Sequence, residues 1–141
     1  MTKDLYPCLW FNNQAREAAD FYSTIFHNSK IISDSGMVVI FELNGQKFMG
    51  LNGGDMYKFT EAVSYVITCK DQEEIDHYWY KLIADGGKEG NCGWCKDKFG
   101  FSWQVVPEIL VKLMSDPAKS QKVVQAFMNM KKFDIAVLEK V

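Results

Sequence analysis

Residues 63–87 read VSYVITCKDQEEIDHYWYKLIADGG, and the architecture turns on this stretch. Val63 to Cys69 is rich in β-branched and aromatic residues and reads as a strand. From Asp71 to Ala84, the apolar residues Ile75, Tyr78, Trp79 and Leu82 return at helical spacing on one side. Asp85-Gly86-Gly87 stops that helix, because these residues tolerate the left-handed backbone of a helix end. Short strands follow around Lys88 to Cys95 and Phe101 to Val106, separated by Asp97-Lys98-Phe99-Gly100.

Upstream, the same order of elements is already present. Leu5 to Phe11 reads as a strand, and Asn12-Asn13 is polar punctuation with helix-capping potential. Ala18, Phe21, Tyr22 and Ile25 recur at helical spacing between Ala15 and Phe26. Strand-like runs at Lys30 to Ser33, Val38 to Leu43 and Lys47 to Leu51 come next. Asn44-Gly45 joins the last two as a hairpin turn, since both residues accept positive φ. Asn52-Gly53-Gly54-Asp55 then breaks the pattern. Setting Gln14 against Gln72 places Phe21-Tyr22 over Trp79-Tyr80 and Tyr6 over Ser64. Identities are few, but the order matches, as expected of an internal duplication. The reading is one domain over 1–141, with modules at 5–55 and 62–107 and helices over 108–141.

Those helices are expected at Glu108 to Met114, from Asp116-Pro117 onward, and at Phe133 to Leu138. Val123, Val124, Phe127, Met128 and Met130 give the middle one an apolar stripe, which docks on the domain or on a second subunit.

The 141 residues are 48% hydrophobic and 14% aromatic, enough to fill a core, with a net charge of -2 and no concentrated basic stretch. That balance argues against nucleic-acid or anionic-membrane partners. The N-terminal segment has no long uncharged run, so a signal peptide or membrane helix is not expected. Four cysteines in a chain large enough to fold without staples fit a cytoplasmic protein with reduced thiols.

Strand alternation divides the residues flanking the helices into two faces. Leu5, Leu9, Phe11, Met49, Leu51, Tyr65, Ile67, Phe101, Trp103 and Val105 form an almost wholly apolar set, expected beneath the helices. The opposite set mixes aromatic, small and hydrogen-bonding groups, which suits a ligand cavity. Its candidate pocket residues are Tyr6, Cys8, Trp10, Phe48, Gly50, Asn52, Ser64, Val66, Thr68, Gln104 and Val106, with Ser102 on the same face.

Four segments carry a family resemblance: Pro7-Cys8-Leu9-Trp10-Phe11, Ala18-Ala19-Asp20-Phe21-Tyr22, Phe41-Glu42-Leu43-Asn44-Gly45-Gln46, and residues 92–104, CGWCKDKFGFSWQ. They resemble the PhnB-like group of the glyoxalase/bleomycin-resistance, or vicinal oxygen chelate, superfamily. The match spans nearly the whole chain, and the last segment is specific by itself. The resemblance implies an α+β fold of paired βαβββ modules with C-terminal helices, a cup-shaped sheet per module, and a homodimer. Some relatives carry the name 3-demethylubiquinone 3-methyltransferase. The chain has no Gly-rich strand-to-helix turn of the Rossmann kind.

Metal-using members of that superfamily hold a divalent ion on His and Glu side chains from four strands, and the resemblance places those positions at Tyr6, Gly50, Ser64 and Gln104. A hard cation wants carboxylates, and zinc or nickel wants imidazole or thiolate. This set offers neither, so no metal or cofactor is expected. His27 reads as a helix-end residue and His77 as a solvent-facing one. Cys92-Gly93-Trp94-Cys95 leads into a strand, not into the helix that would activate a redox thiol, and reads as structural. Cys8 reads as a small wall residue. Glu42 is an acid-base candidate if it faces the cup, which its parity beside the hairpin does not decide. No catalytic residue stands out. The favoured function is binding of a neutral or weakly polar small molecule. The alternatives are a metal-dependent lyase, isomerase or dioxygenase with an unusual site, and a dimeric interaction protein.

Overall fold

The structure, a computed structural model, describes residues 2–141, which fall into two compact units divided between Phe59 and Thr60. The first unit runs β1 (Cys8–Phe11), α1 (Ala15–Ser23), β2 (Lys30–Asp34), β3 (Val38–Leu43) and β4 (Gln46–Asn52). Its sheet has the order β1-β4-β3-β2, with β1 and β4 parallel and the other pairs antiparallel. The second unit runs β5 (Ser64–Cys69), α2 (Gln72–Leu82), β6 (Lys88–Glu89), β7 (Trp94–Lys96) and β8 (Ser102–Pro107). Its order is β5-β8-β7-β6, again with only the first pair parallel. The two paths match element for element, an α+β arrangement of two mixed four-stranded sheets. The second unit continues into α3 (Ile109–Met114), α4 (Ser120–Met128) and α5 (Ile135–Glu139).

α1 and α2 each cover one sheet face, with Phe21 and Tyr78 of the expected stripes only half-buried. In α1, Ala15, Ala18, Ala19 and Tyr22 are buried against Val39, Phe41 and Leu43 of β3. Phe41 lies between Tyr22 and Phe48, with ring centroids 6.4 and 5.4 Å away. In α2, Ile75, Trp79 and Leu82 are buried, over a β8 face of Trp103 and Val105. Burying any of these large side chains contributes about 1.5–3 kcal/mol.

The helix starts differ. Asp71 caps α2 locally, accepting from the Glu74 N–H at 2.9 Å, and the Glu74 carboxylate accepts in turn from the Lys70 N–H at 2.8 Å. At α1, Gln14 makes no side-chain cap. Instead Asn52, at the end of β4, accepts from the Ala15 N–H at 2.9 Å and donates to the Gly36 carbonyl at 2.8 Å. The capping potential read into Asn12-Asn13 is therefore not used, and Asn13 adopts φ 62°.

Several boundaries shift from the sequence reading. Ladder pairing of β1 begins with the Pro7 carbonyl, which accepts from Met49 N–H, and Leu5 is 93% exposed instead of lying beneath a helix. Asp116 accepts from the Ala118 N–H and forms a turn, so α4 starts only at Ser120.

The chain between α4 and α5 is pinned to its own unit. Met130 and Lys131 carbonyls accept from the Cys92 and Gly93 N–H groups, both at 2.8 Å. Gln72 donates to the Phe133 carbonyl and accepts from the Ile135 N–H. The buried Phe133 ring occupies the space where any side chain at Gly93 would stand, and Gly93 has φ 81°. No helix among the described residues is long and apolar enough to cross a membrane.

Candidate ligand-binding face

Opposite the helices, each sheet has a second face, set by the pleat and by strand pairing. In the second unit, Ser64 pairs with Ser102, Val66 with Gln104 and Thr68 with Val106, while Lys96 pairs with Ser102 and Trp94 with Gln104. These side chains therefore share the uncovered face. Val66 is 57% exposed, Thr68 is exposed, and Gln104 and Val106 are half-buried. Gln104 Nε2 donates to Ser64 Oγ at 3.0 Å, fixing the amide across β5 and β8. The sequence reading placed Ser64, Val66, Thr68, Gln104 and Val106 on this face, and the register agrees.

The first unit requires a correction. Pairing of Leu9 with Gly50 and of Phe11 with Asn52 turns Phe48, Gly50 and Asn52 toward α1. Phe48 is buried on Phe41, and a Cβ at Gly50 would stand 3.1 Å from Ala15 Cβ. Asn52 is the α1 cap. None of these three lies on the uncovered face. Their places are taken by Met49 and Leu51, beside Cys8 and Trp10, with Val38, Ile40 and Glu42 across β3. The sequence misled because β4 is apolar at both parities, so alternation alone could not choose; pairing with β1 chooses.

Trp10 is held by the chain that follows β4. Its indole N–H donates to the Gly54 carbonyl at 2.8 Å, Tyr57 meets it edge-on at 4.9 Å, and any side chain at Gly53 would strike its ring. Tyr6 precedes β1, with Lys47 Nζ 4.3 Å above its ring. Glu42 does lie on the uncovered face, opposite Lys47 and 3.8 Å from Lys30. Cys8 is solvent-accessible, yet partial desolvation raises its thiol above the ordinary value. Raised thiols are poor nucleophiles, which fits a wall residue better than a reactive one.

The four positions implied for a metal do not form a metal-binding set. Gly50 faces α1, and Ser64 and Gln104, neutral and joined by one hydrogen bond, supply no carboxylate, imidazole or thiolate. The repeat relates Gly50 to Val105 and Met49 to Gln104, so the uncovered position on β4 is a thioether. Among the described residues, no three His, Cys, Asp or Glu side chains come together. His27 is exposed beyond the end of α1, and His77 on α2 is half-buried, edge-on to Tyr78 at 4.9 Å.

Residues 92–104 are explained by structure. Cys92 and Gly93 dock the α4–α5 connection, and all four cysteines are free. Burial, reinforced by Asp97, pushes the Cys95 thiol up to about 12. Asp97 is itself buried. One of its oxygens accepts from the Phe99 and Phe101 N–H groups at 2.9 and 3.1 Å, the other from the Trp103 indole at 2.8 Å. Gly100 turns the chain between them at φ 88°. The segment thus builds the turn that aims β8, with Ser102 and Gln104 on one side and Trp103 on the other.

Residues 3–106 match the family described as 3-demethylubiquinone-9 3-methyltransferase. A Bacillus cereus structure, described as a putative 3-demethylubiquinone-9 3-methyltransferase, PhnB protein, is 32% identical with a TM-score of 0.67; the match covers 74% of this chain and 99% of that one. The chain belongs to this family. Its PhnB-like fold is shared more widely. A fosfomycin resistance protein, FosX, from Listeria monocytogenes is 15% identical at a TM-score of 0.57, over 75% of this chain and 91% of that one. A glyoxalase/bleomycin resistance protein from Albidiferax ferrireducens is 11% identical at 0.57, over 73% and 96%. At such identities the likeness shows the glyoxalase/bleomycin-resistance fold alone. No curated protein matches the chain.

Proposed function

We propose that this PhnB-like protein binds a small, uncharged or weakly polar molecule on the uncovered face of its β5-β8-β7-β6 sheet, without a resident four-ligand metal centre. One observation carries the reading. Ser64, Val66, Thr68, Gln104 and Val106 form a run of uncharged side chains in which Gln104 spends one N–H on Ser64. That leaves the amide carbonyl and its second N–H for a ligand, beside the apolar surface of Val66 and Val106. Apolar area with a few fixed polar groups is the composition of small-molecule sites.

The family name carries a methyl transfer. The separate four-stranded sheets contain no doubly wound parallel sheet, and the chain has no Gly-rich turn of the kind that holds a nucleotide in Rossmann-type methyltransferases. That speaks against a Rossmann-type methyl transfer; what supports binding is the uncharged face of Ser64, Val66, Thr68, Gln104 and Val106.

A thermal-shift screen across metabolites and antibiotics tests it, using the wild type and Gln104→Trp, which fills the face beside Trp94 and between Ser102 and Val106. At least one compound should raise the wild-type melting temperature and fail to raise that of the variant. A screen in which nothing stabilises the wild type, or in which the variant responds equally, removes the reading.

A further inference from the structure

One end of the second sheet holds a cleft of about 270 Å³. Ser102 lines it, together with Trp94, Lys88, Lys96, Glu61 and Glu89. It lies toward the start of β8, where Lys96 and Ser64 flank Ser102 on neighbouring strands. Ser102 is 1% exposed, and its Oγ has no hydrogen-bond partner among the described residues. Buried hydroxyls are almost always paired, because an unpaired one forfeits its water without compensation. A serine in that condition beside a cleft can bond a group that reaches it once the side chains over it part.

The remaining walls narrow the partner's chemistry. Lys88 and Lys96 are balanced by Glu61 and Glu89, so the formal charge of the lining is zero and favours neither an anion nor a cation. Lys96 is already paired with Glu61, both partly exposed. Such an exposed bridge is weakly held and can shift to admit a guest. Trp94, half-buried, offers a flat apolar surface. The volume lies just below the roughly 300–1,000 Å³ of drug-sized pockets, which limits the guest to about one ring and its substituent.

We infer that this cleft takes an uncharged, single-ring molecule stacked on Trp94, with one carbonyl or hydroxyl group hydrogen-bonded to Ser102. The inference rests on the small-molecule reading of this face and names the part of it that selects the ligand. Of the face marked out by strand alternation, Ser102 lines this cleft and the candidate pocket residues do not. Its signal in the sequence was Ser102, which shares the uncovered parity but looks like an ordinary strand serine.

Four matched probes test it: benzamide, benzoate, benzylamine and toluene, titrated into full-length ¹⁵N-labelled protein and followed by amide and indole NMR shifts. Benzamide should move the Trp94 indole and the Ser102 amide and bind most tightly of the four. Ser102→Ala should weaken benzamide by about tenfold and leave toluene unchanged. The same variant, free of ligand, should melt higher than the wild type, because it deletes an unpaired buried hydroxyl. That opposition of sign is not expected of a merely structural serine. Tighter binding of benzoate or benzylamine overturns the chemical class. Benzamide affinity unaltered by Ser102→Ala overturns the role of the hydroxyl. Shifts confined to Val66, Thr68 and Gln104 overturn the cleft while leaving the broader binding face standing. No shift from any probe overturns the cleft too, and the metabolite screen then decides the broader reading independently.

Discussion

In the first half of the molecule the helix takes its cap from Asn52, 37 residues downstream of Ala15, while in the second half Asp71 caps the helix from the adjacent position. The strand registers make Asn52 and Pro107 equivalent, since Asn52 pairs with Phe11 as Pro107 pairs with Cys69. Proline has no amide side chain to offer, so the second half must cap its helix locally. The same equivalence relates Met49 to Gln104 on the uncovered faces. One half presents Cys8, Trp10, Met49 and Leu51; the other presents Ser64, Val66, Gln104 and Val106. Duplicated backbone has thus been kept while the uncovered surface diverged: at the strand pair β1–β4 it is apolar, and at the equivalent pair β5–β8 it carries hydrogen-bonding Ser64, Thr68 and Gln104. The proposed selectivity for a polar group draws on the second copy.

The largest test of this contrast is chemical. Burial, with the negative charges of Glu74 and Asp71, pushes Cys69 from 9.0 up to about 12, and Cys95 reaches about 12 as well. That rise leaves about 1,000-fold less thiolate at pH 8 than in an ordinary thiol. Iodoacetamide labelling of the native protein, read by mass spectrometry, should modify Cys8 long before either. Uniform labelling of all four would contradict the two buried faces. Next in size is the register of β4. Phe48→Ala should cost about 3–5 kcal/mol in denaturant melts, as a buried aromatic does. Met49→Ala, on the uncovered face, should cost less than about 1.5 kcal/mol; the reverse order would restore the alternation read from sequence.

The caps come third. Asn52→Ala should destabilise by about 1–2 kcal/mol and Asp71→Ala by about 1 kcal/mol. Asn52→Asp should retain the Ala15 bond but lose the donation to Gly36, and an intermediate melting temperature would confirm both contacts. The smallest effect is acid sensitivity. Hydrogen bonds from Lys132 and Gln72 hold Asp76 below the usual carboxylate range. Its contribution is therefore present above an unfolded value of about 3.9 and fades as pH falls through the lower folded value. Asp76→Asn should flatten the acid limb of the stability profile slightly, because this bridge is partly exposed.

Helix positions, the Asn44-Gly45 turn and the parity of β5 and β8 were legible because each depends on neighbours within about ten residues. Ile75, Trp79 and Leu82 could only be a buried stripe, and Tyr65, Ile67, Trp103 and Val105 only a covered face. β4 was not legible, since KFMGLN is apolar on both sides and its orientation is decided by β1, some forty residues away. Nor was the role of Asn52, whose partner lies on another element; Cys92-Gly93 was read as structural, but that it docks the α4–α5 connection under Phe133 depends on a segment some forty residues away.

The amino-acid order alone determined that the chain duplicates a strand-helix-strand pattern and that the uncovered side of β5 and β8 carries uncharged polar groups. Tertiary structure decided which side of β4 is covered and that Ser102 is buried without a hydrogen-bond partner among the described residues. The division has one cause. Periodicity reports local backbone geometry, whereas burial and hydrogen-bond completion depend on which distant segments pack alongside.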